Sequence, residues 1–309
     1  MATAYQLVNP VNPFTPLPYG LPSAVNWQTG DARFEGGIQW ESVCATGSVT
    51  LSPCITGAPP LDPAAKAATW DHTVRGARAY TIFSEIDCSP VGWTWEKAKT
   101  DAAQGFLNSE AFQLERVFQT GAVPGMPAGI VLPNLTTTGP ISDASFLPNV
   151  LLQPGSVVVS GTGVDVVEGL GILEKQLGVC YQGGRGVIHV PLRLASALQA
   201  QYELVDKNGV LYTEAGNKIV LGAGYEEAFG PGGVTAPAGF GWMFATGPVF
   251  GWRSDIRLLG GIEAESFDRA NNTRKMITER TVVIGWDCCL AAVLVTLGGE
   301  PAGTFGTAA

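Results

Sequence analysis

Residues 95–119, WEKAKTDAAQGFLNSEAFQLERVFQ, are the longest stretch of the chain with a helical pattern. Its apolar side chains recur at steps of three and four, which places them on one face of a helix: Ala103, Phe106, Leu107, Leu114, Val117 and Phe118. Asp87 and Ser89 are candidate N-caps, Gly121 is a candidate stop, and Gly105 permits a bend. At about 1.5 Å per residue the helix would be roughly 35 Å long. We call it the spine helix, because the pattern predicts a rigid strut around which the other elements are arranged.

Two extended segments precede the spine helix. Residues 37–51 and 75–86 alternate in polarity as strands do, and a Pro-rich connection separates them. Such a long hairpin is marginal alone, so we expect another chain to support it. Residues 1–36 show neither a helical nor a strand periodicity, but they are too apolar for a solvated tail. They predict an extended arm on a neighbouring subunit, with these contact residues: Phe14, Tyr19 and Trp27.

Helical and strand patterns alternate after the spine helix, which predicts an α+β fold. Helices are predicted at residues 163–178 and 191–201, and Asn208-Gly209 predicts a tight turn. Strands are predicted at residues 157–159, 183–190, 218–222, 242–250, 255–259 and 279–297. The last of these is the strongest strand signal and is interrupted near residues 285–287, while residues 267–275 look like a turn or loop.

Composition narrows the function classes. The chain has 309 residues, of which 46% are hydrophobic and 15% charged, and its net charge is −9. Its 18 Lys and Arg residues are scattered, which argues against a nucleic-acid groove. No apolar run approaches the roughly 18 residues needed to span a bilayer. The start of the sequence lacks the pattern of a secretory signal, so we expect a protein that stays in the cytosol.

Chemistry-bearing residues do not form a familiar motif. The chain has six cysteines and two histidines, without a CxxC pair, so we predict no metal site. In a reducing cytosol the cysteines would be small buried hydrophobes, and adjacent Cys288 and Cys289 would face opposite sides of a strand. Glycines 183, 184 and 186 precede a strand, the wrong order for a dinucleotide site. We therefore predict no cofactor and no catalytic residue.

One catalytic alternative stays open at this point. A thiol hydrolase with a cytosolic α/β fold would need a cysteine close to a histidine. The candidate thiols are Cys180 and Cys88, and the candidate bases are His189 and His72.

The order of arm, long hairpin, spine helix, mixed region and closing strands resembles the major capsid proteins of tailed bacteriophages. Their Hong Kong 97-type fold is shared with encapsulins. The similarity is carried by GGRGVIHVPLRLASALQ (183–199), the turn DKNGVLY (206–212) and KIVLGAGY (218–225). The closing run ERTVVIGWDCCLAAVLV (279–295), after a polar stretch that contains Asp268, Arg269 and Asn272, resembles the final strand pair.

The resemblance implies a division of the chain. Residues 1–36 would be the N-terminal arm, 37–86 the extended β-hairpin loop, and 301–309 a C-terminal tail. Residues 87–150 and 250–300 would form a peripheral domain around the spine helix. Residues 151–249 would form an α/β axial domain that meets symmetry mates.

The same resemblance implies a major capsid protein. It would assemble with itself, as hexamers and pentamers, into the icosahedral head shell of a tailed phage. The shell would enclose double-stranded DNA without binding it specifically. Scaffolding, portal and decoration proteins would be possible further partners, with any scaffolding either a separate chain or already absent. The location would be the virion, with assembly in the host bacterial cytoplasm, and neither membrane nor catalysis would be involved. An encapsulin shell and another virion structural protein are the alternatives.

Some members of this family cross-link their subunits through a lysine and an asparagine beside a glutamate. Lys66 is the lysine of the hairpin region, and Asn271 and Asn272 precede Glu279. The resemblance therefore implies these four as candidate inter-subunit cross-link residues.

Overall fold

A computed structural model describes residues 17–28, 32–42, 44–46, 69–70, 74–88, 94–128, 130–139, 141–142, 151–153, 157–202, 204–259, 267–268 and 273–297. In this part of the chain the helices are α1 (Leu21–Ala24), α2 (Trp95–Thr120), α3 (Val166–Cys180) and α4 (Leu192–Gln201). Short 3-10 turns occupy Ala32–Gly36 and Pro231–Gly233.

The strands before the third helix are β1 (Asn26–Gln28), β2 (Ile38–Glu41), β3 (Ala45–Thr46), β4 (Thr69–Trp70), β5 (Val74–Ala77), β6 (Tyr80–Cys88), β7 (Ile141–Ser142), β8 (Leu151–Gln153) and β9 (Val157–Val164). Those after it are β10 (Val187–Pro191), β11 (Val205–Lys207), β12 (Val210–Tyr212), β13 (Lys218–Gly222), β14 (Phe240–Thr246), β15 (Val249–Arg253), β16 (Arg257–Leu259), β17 (Phe267–Asp268), β18 (Thr273–Trp286) and β19 (Leu290–Thr296).

Two large sheets organise the described residues. One has the strand order β11-β12-β13-β10-β14-β19-β9, and α3 and α4 cover one of its faces with a continuous apolar core. The other is built on β18, which pairs with β15, β16, β17 and β6, while β1 joins β15 at its edge. The spine helix α2 packs against β6 and β18. A smaller sheet has the order β2-β5-β8-β7.

The spine helix is confirmed, with one correction at its start. Thr94 is the N-cap, since its hydroxyl accepts a hydrogen bond from Lys97 N at 3.2 Å. Asp87 does not cap the helix, because it lies within β6 and pairs with Lys275; Ser89 lies outside the described residues. Gly121 ends the helix with a φ of 67°, as predicted. The helix continues without a break through Gly105.

The segment predicted as an arm has more local structure than its sequence suggested. Leu21 and Ala24 of α1 are fully buried in the protein's own core, and β1 pairs in parallel with β15. Repetitive patterns do not reveal such pieces, because they are only a few residues long and their partners lie about a hundred residues or more away in the chain.

Most of the later elements lie where the sequence predicted them, but the single strand expected at residues 242–250 is two strands, β14 and β15, which belong to different sheets. The Asn208-Gly209 turn joins β11 to β12, and both residues have positive φ angles, 57° and 77°. The antiparallel pairing of β2 with β5 confirms the base of the predicted hairpin. The return strand expected at residues 75–86 is wrong beyond residue 77, because β6 is a separate strand that pairs with β18. β18 begins at residue 273 rather than at residue 279, so it includes the end of the segment 267–275 that we expected to be a turn or loop. It continues through Gly285. The chain turns instead at residues 287–289.

Candidate assembly site

The spine helix carries a buried acid that joins three segments. Glu115 is only 2% exposed. Its Oε1 accepts a hydrogen bond from Leu21 N and its Oε2 accepts one from Gly224 N, both at 2.9 Å. Burial raises the pKa of the Glu115 carboxyl, and the hydrogen bonds from backbone N–H groups oppose that rise. This side chain therefore fastens α1 and the loop after β13 to α2.

Gln119, one helical turn further on, repeats the arrangement. Its Oε1 accepts a hydrogen bond from Glu226 N at 2.8 Å, and its Nε2 donates one to Glu226 O at 2.9 Å. The loop approaches so closely that a Cβ on Gly224 would overlap the carbonyl oxygen of Phe112. Glu115 and Gln119 were not predicted as site residues, because polar residues next to an apolar stripe are ordinarily solvated. Their spacing of four was the one available signal.

The predicted arm contacts Tyr19 and Trp27 have partners in their own chain. The Tyr19 hydroxyl donates a hydrogen bond to Asp206 Oδ2 at 2.9 Å. The indole Nε1 of Trp27 donates to Pro22 O at 2.9 Å, and the Arg253 guanidinium lies 4.7 Å from the ring centroid. Phe14 lies outside the described residues. Contacts of these three residues with neighbouring subunits stay a prediction.

Apolar side chains also face solvent around the arm. Two adjoining cavities, of about 380 and 590 Å³, flank the chain where it crosses α2, and Leu17, Gly20 and Ala111 line both of them. Leu17, Leu107 and Phe112 are each more than 40% exposed there. Further large apolar side chains are exposed on other elements: Phe83, Val157, Val158, Val179, Val234 and Leu259.

Of the four candidate cross-link residues, Glu279 alone lies in the described part. It sits in β18 between Phe83 of β6 and Arg257 of β16. Glu279 and Phe83 line an open cavity of about 740 Å³ together with Ile130 and Leu132. Lys66, Asn271 and Asn272 lie outside the described residues, so the cross-link stays a prediction.

Four of the cysteines expected to be small buried hydrophobes form disulfides in the structure. Cys44 is bonded to Cys288, and Cys180 to Cys289. Separations of 244 and 109 residues conceal such pairs from local sequence patterns. Cys288 lies in a turn with a φ of 68° rather than in a strand.

The Cys180–His189 form of the thiol hydrolase is contradicted. The sulfur of Cys180 is in a disulfide, and the ring of His189 is fully buried between two hydroxyl groups, those of Tyr225 and Thr246. Burial lowers the pKa of His189 to about 3, so it is a poor base. His72 and the side chain of Cys88 lie outside the described part.

The Cys44, Asp287 and Cys288 side chains bring potential metal-ligating atoms within 4.8 Å of one another. The two sulfurs are bonded together, and Arg75 Nε lies 3.1 Å from Asp287 Oδ1. A carboxylate neutralised by a buried guanidinium beside a disulfide is a poor donor set for a metal ion. As for membranes, the described residues include no helix with the length and apolar character that a transmembrane span requires.

No protein-family model matches the chain, and no curated protein matches its sequence. Solved structures do match its fold. The capsid of a native GTA particle aligns with a TM-score of 0.52 at 10% identity, covering 95% of this chain and 95% of that one. A structure from Mycobacterium phage Ogopogo aligns at 0.51 and 13% identity, covering 95% and 97%.

The SrpI encapsulin complex from Synechococcus elongatus PCC 7942 aligns at 0.52 and 12% identity, covering 96% and 94%. At such low identity these matches concern architecture alone. Because they run through nearly the whole of each chain, the protein has the α+β, Hong Kong 97-type fold of phage capsid and encapsulin shell proteins.

Proposed function

We propose that this chain is a major capsid protein, the repeating subunit of the icosahedral head shell of a tailed bacteriophage. The observation that carries the proposal is the extent of the match to the native GTA capsid, 95% of both chains. A shared subdomain would leave large parts of one chain unmatched. In the proposed role the chain acts by assembling with itself into hexamers and pentamers within the virion.

The described surface supports self-assembly. Large apolar side chains are exposed on several elements, and only 15% of the sequence is charged. Obligate interfaces between subunits are large and more apolar than transient ones. A second copy of the chain is the partner that these surfaces fit, since each copy presents the same surfaces.

Charge supports an enclosing role. A net charge of −9 gives the wall little attraction for phosphate groups, so double-stranded DNA can be packaged and released without being held. A role without catalysis is supported by the contacts of the described reactive groups. Glu115 and His189 are buried and hydrogen-bonded within the fold, and four cysteine sulfurs are joined in two disulfides. The phage role also brings scaffolding, portal and decoration proteins as partners, and assembly in the host cytoplasm.

A second function is an encapsulin-type nanocompartment. The specific observation in its favour is the SrpI encapsulin match, whose TM-score of 0.52 equals that of the GTA capsid. Both functions use the same shell fold, and they differ in particle size and contents.

Electron microscopy of the protein purified from producing cells tests the proposal. We expect large closed shells that contain nuclease-protected DNA, with empty shells as the control after the DNA is released. Much smaller shells filled with protein would favour the encapsulin. Small particles of uniform size, unchanged when the protein is concentrated, would contradict both functions.

A further inference from the structure

Two adjacent cysteines in the turn between β18 and β19 bond to different parts of the chain. Cys288 bonds to Cys44, which follows β2 in the segment predicted as the extended loop, and Cys289 bonds to Cys180 at the end of α3. The Cα atoms of the pairs are 5.4 and 5.9 Å apart, the ordinary range for a disulfide. One turn therefore anchors both the loop segment and α3.

Contacts other than the disulfide hold Cys44 beside this turn. The Ser42 hydroxyl donates a hydrogen bond to Asp287 Oδ1 at 3.0 Å, and Cys44 N donates one to Ser42 Oγ at 3.4 Å. Arg75 Nε lies 3.1 Å from the same Asp287 oxygen, and both of these side chains are buried. None of these contacts uses the sulfur–sulfur bond, so they keep the two sulfurs close when both are thiols.

The two members of each pair differ in exposure. Cys288 and Cys289 are buried, at 7% and 2% exposure, whereas Cys44 and Cys180 are half-buried. A small disulfide or thiol in solution therefore reaches the loop and helix cysteines first. Such access is what allows thiol–disulfide exchange at a folded protein.

We propose that the turn at residues 287–289 is a redox-operated lock that closes after assembly. This inference rests on the proposed function, in which the chain assembles in a reducing cytosol and later leaves it. Both pairs are thiols during assembly, and the loop segment is held by hydrogen bonds alone. Oxidation then fixes the loop segment and α3 to one point and stabilises the finished particle.

The chemistry balances with glutathione disulfide as the oxidant. The thiolate of Cys44 attacks glutathione disulfide, forming a mixed disulfide and releasing one glutathione. The thiolate of Cys288 then attacks the Cys44 sulfur and releases the second glutathione. Two protein thiols and one glutathione disulfide give one protein disulfide and two glutathione thiols, and the Cys180–Cys289 pair reacts in the same way.

The first test follows the thiols of the full-length protein. One portion of the cells is lysed in N-ethylmaleimide with denaturant, so that the buried thiols also react. Particles purified from a second portion without alkylation are treated with glutathione disulfide, and the cysteines of both samples are mapped by mass spectrometry. We expect all four cysteines to be alkylated at lysis and linked after treatment. Cys288→Ser should abolish the link to Cys44 alone, and Cys289→Ser the link to Cys180 alone.

The second test measures stability. Oxidation should raise the thermal unfolding midpoint of wild-type particles by roughly 5–10 °C, and dithiothreitol should reverse the rise. Cys44→Ser should remove part of the shift. Cys54→Ser is the matched control, because Cys54 belongs to neither pair, and it should leave the shift intact. The wild-type comparison needs no variant, so it stands even where a substitution impairs folding.

Three results would overturn the proposal: either disulfide already present at lysis, a disulfide between Cys288 and Cys289, or a thermal unfolding midpoint that oxidation leaves unchanged. The same mapping on unassembled subunits separates this inference from the proposed function. If those subunits form the two links on oxidation but microscopy shows no shells, the proposed function fails while the redox pairing stands.

Discussion

His189 shows how one buried side chain makes stability depend on pH. Its Nδ1 lies 3.0 Å from the Tyr225 hydroxyl and its Nε2 lies 3.0 Å from Thr246 Oγ1. The ring of Phe118 packs against it at 5.3 Å between centroids. Burial lowers the pKa of His189 from 6.5 to about 3, so the ring is neutral in the folded protein.

The sign of the pH effect follows from that shift. Between pH 6.5 and about 3 the unfolded chain binds a proton at His189 that the folded chain does not bind. The stability contributed by the neutral, buried His189 ring is fully present above pH 6.5 and declines as the pH falls toward 3. Within this range we expect the unfolding free energy of unassembled subunits to fall by up to about 1.4 kcal/mol per pH unit through His189.

Urea unfolding at pH 7, 6 and 5 measures this loss, with His189→Gln as the matched variant, since glutamine keeps a donor and an acceptor. The variant should lose less stability on acidification than the wild type. Glu115, whose raised pKa acts in the opposite direction, is present in both proteins and cancels in the comparison. Equal slopes for the two proteins would refute the assignment.

Among the elements, the joining of α1 and the β13 loop to α2 depends on the Glu115 carboxylate. Glu115→Gln keeps the shape but replaces one acceptor oxygen with an N–H donor. One of the N–H groups of Leu21 and Gly224 then faces another donor. We expect a loss of about 1–3 kcal/mol in chemical unfolding.

Hydrogen exchange locates this effect. Protection should fall at the amides of Leu21 or Gly224, while amides in the middle of α3 keep theirs. Arg116→Gln is the control, because Arg116 is exposed on the same helix turn, and it should change stability by less than about 0.5 kcal/mol. Unchanged protection at both amides in Glu115→Gln would mean that the carboxylate does not hold these segments.

Elements with a strong local pattern could be predicted from the sequence. The spine helix was expected at residues 95–119 and is found at Trp95–Thr120, and the Asn208-Gly209 turn lies where its residue types placed it. The start of β18 was missed because residues 273–278, TRKMIT, open with three polar side chains and do not alternate between polar and apolar groups. That segment is a strand because it pairs with β6, a contact the sequence order does not reveal.

The candidate site was less predictable for a related reason. The burial of Glu115 depends on two backbone N–H groups, at Leu21 and Gly224, that are each about a hundred residues away. The disulfides of Cys288 and Cys289 likewise join segments that only the tertiary fold brings together. No residue pattern near these positions reports such partners, whereas a resemblance of the whole order of elements does identify the fold.

At the scale of the whole molecule, part of the predicted arm belongs to the subunit's own core. Leu21 and Ala24 are fully buried, so removing residues 1–36 would damage the subunit itself. Deletion of residues 1–16 is the sharper test of an arm that serves assembly. We expect folded subunits that no longer form shells, as measured by size-exclusion chromatography and electron microscopy.

Leu21→Ala in the full-length chain is the contrasting variant. It removes a fully buried side chain and should cost about 2–5 kcal/mol of subunit stability, seen as a lower unfolding midpoint. The deletion should leave that midpoint within a degree or two of the wild type. Normal shells from the deleted chain would show that residues 1–16 are not an assembly arm.

The length of β18 has a mechanical consequence. Nine of its residues are in register with β6, and after the turn the chain continues into β19, which lies between β14 and β9 in the other large sheet. A pull directed along β18 strains all the ladder bonds of these nine pairs at once, whereas a pull across the strand would open them one by one. Outward pressure on a closed wall stretches it within its own plane. A subunit whose longest strand lies in that plane would meet the stretch in its stiffest direction.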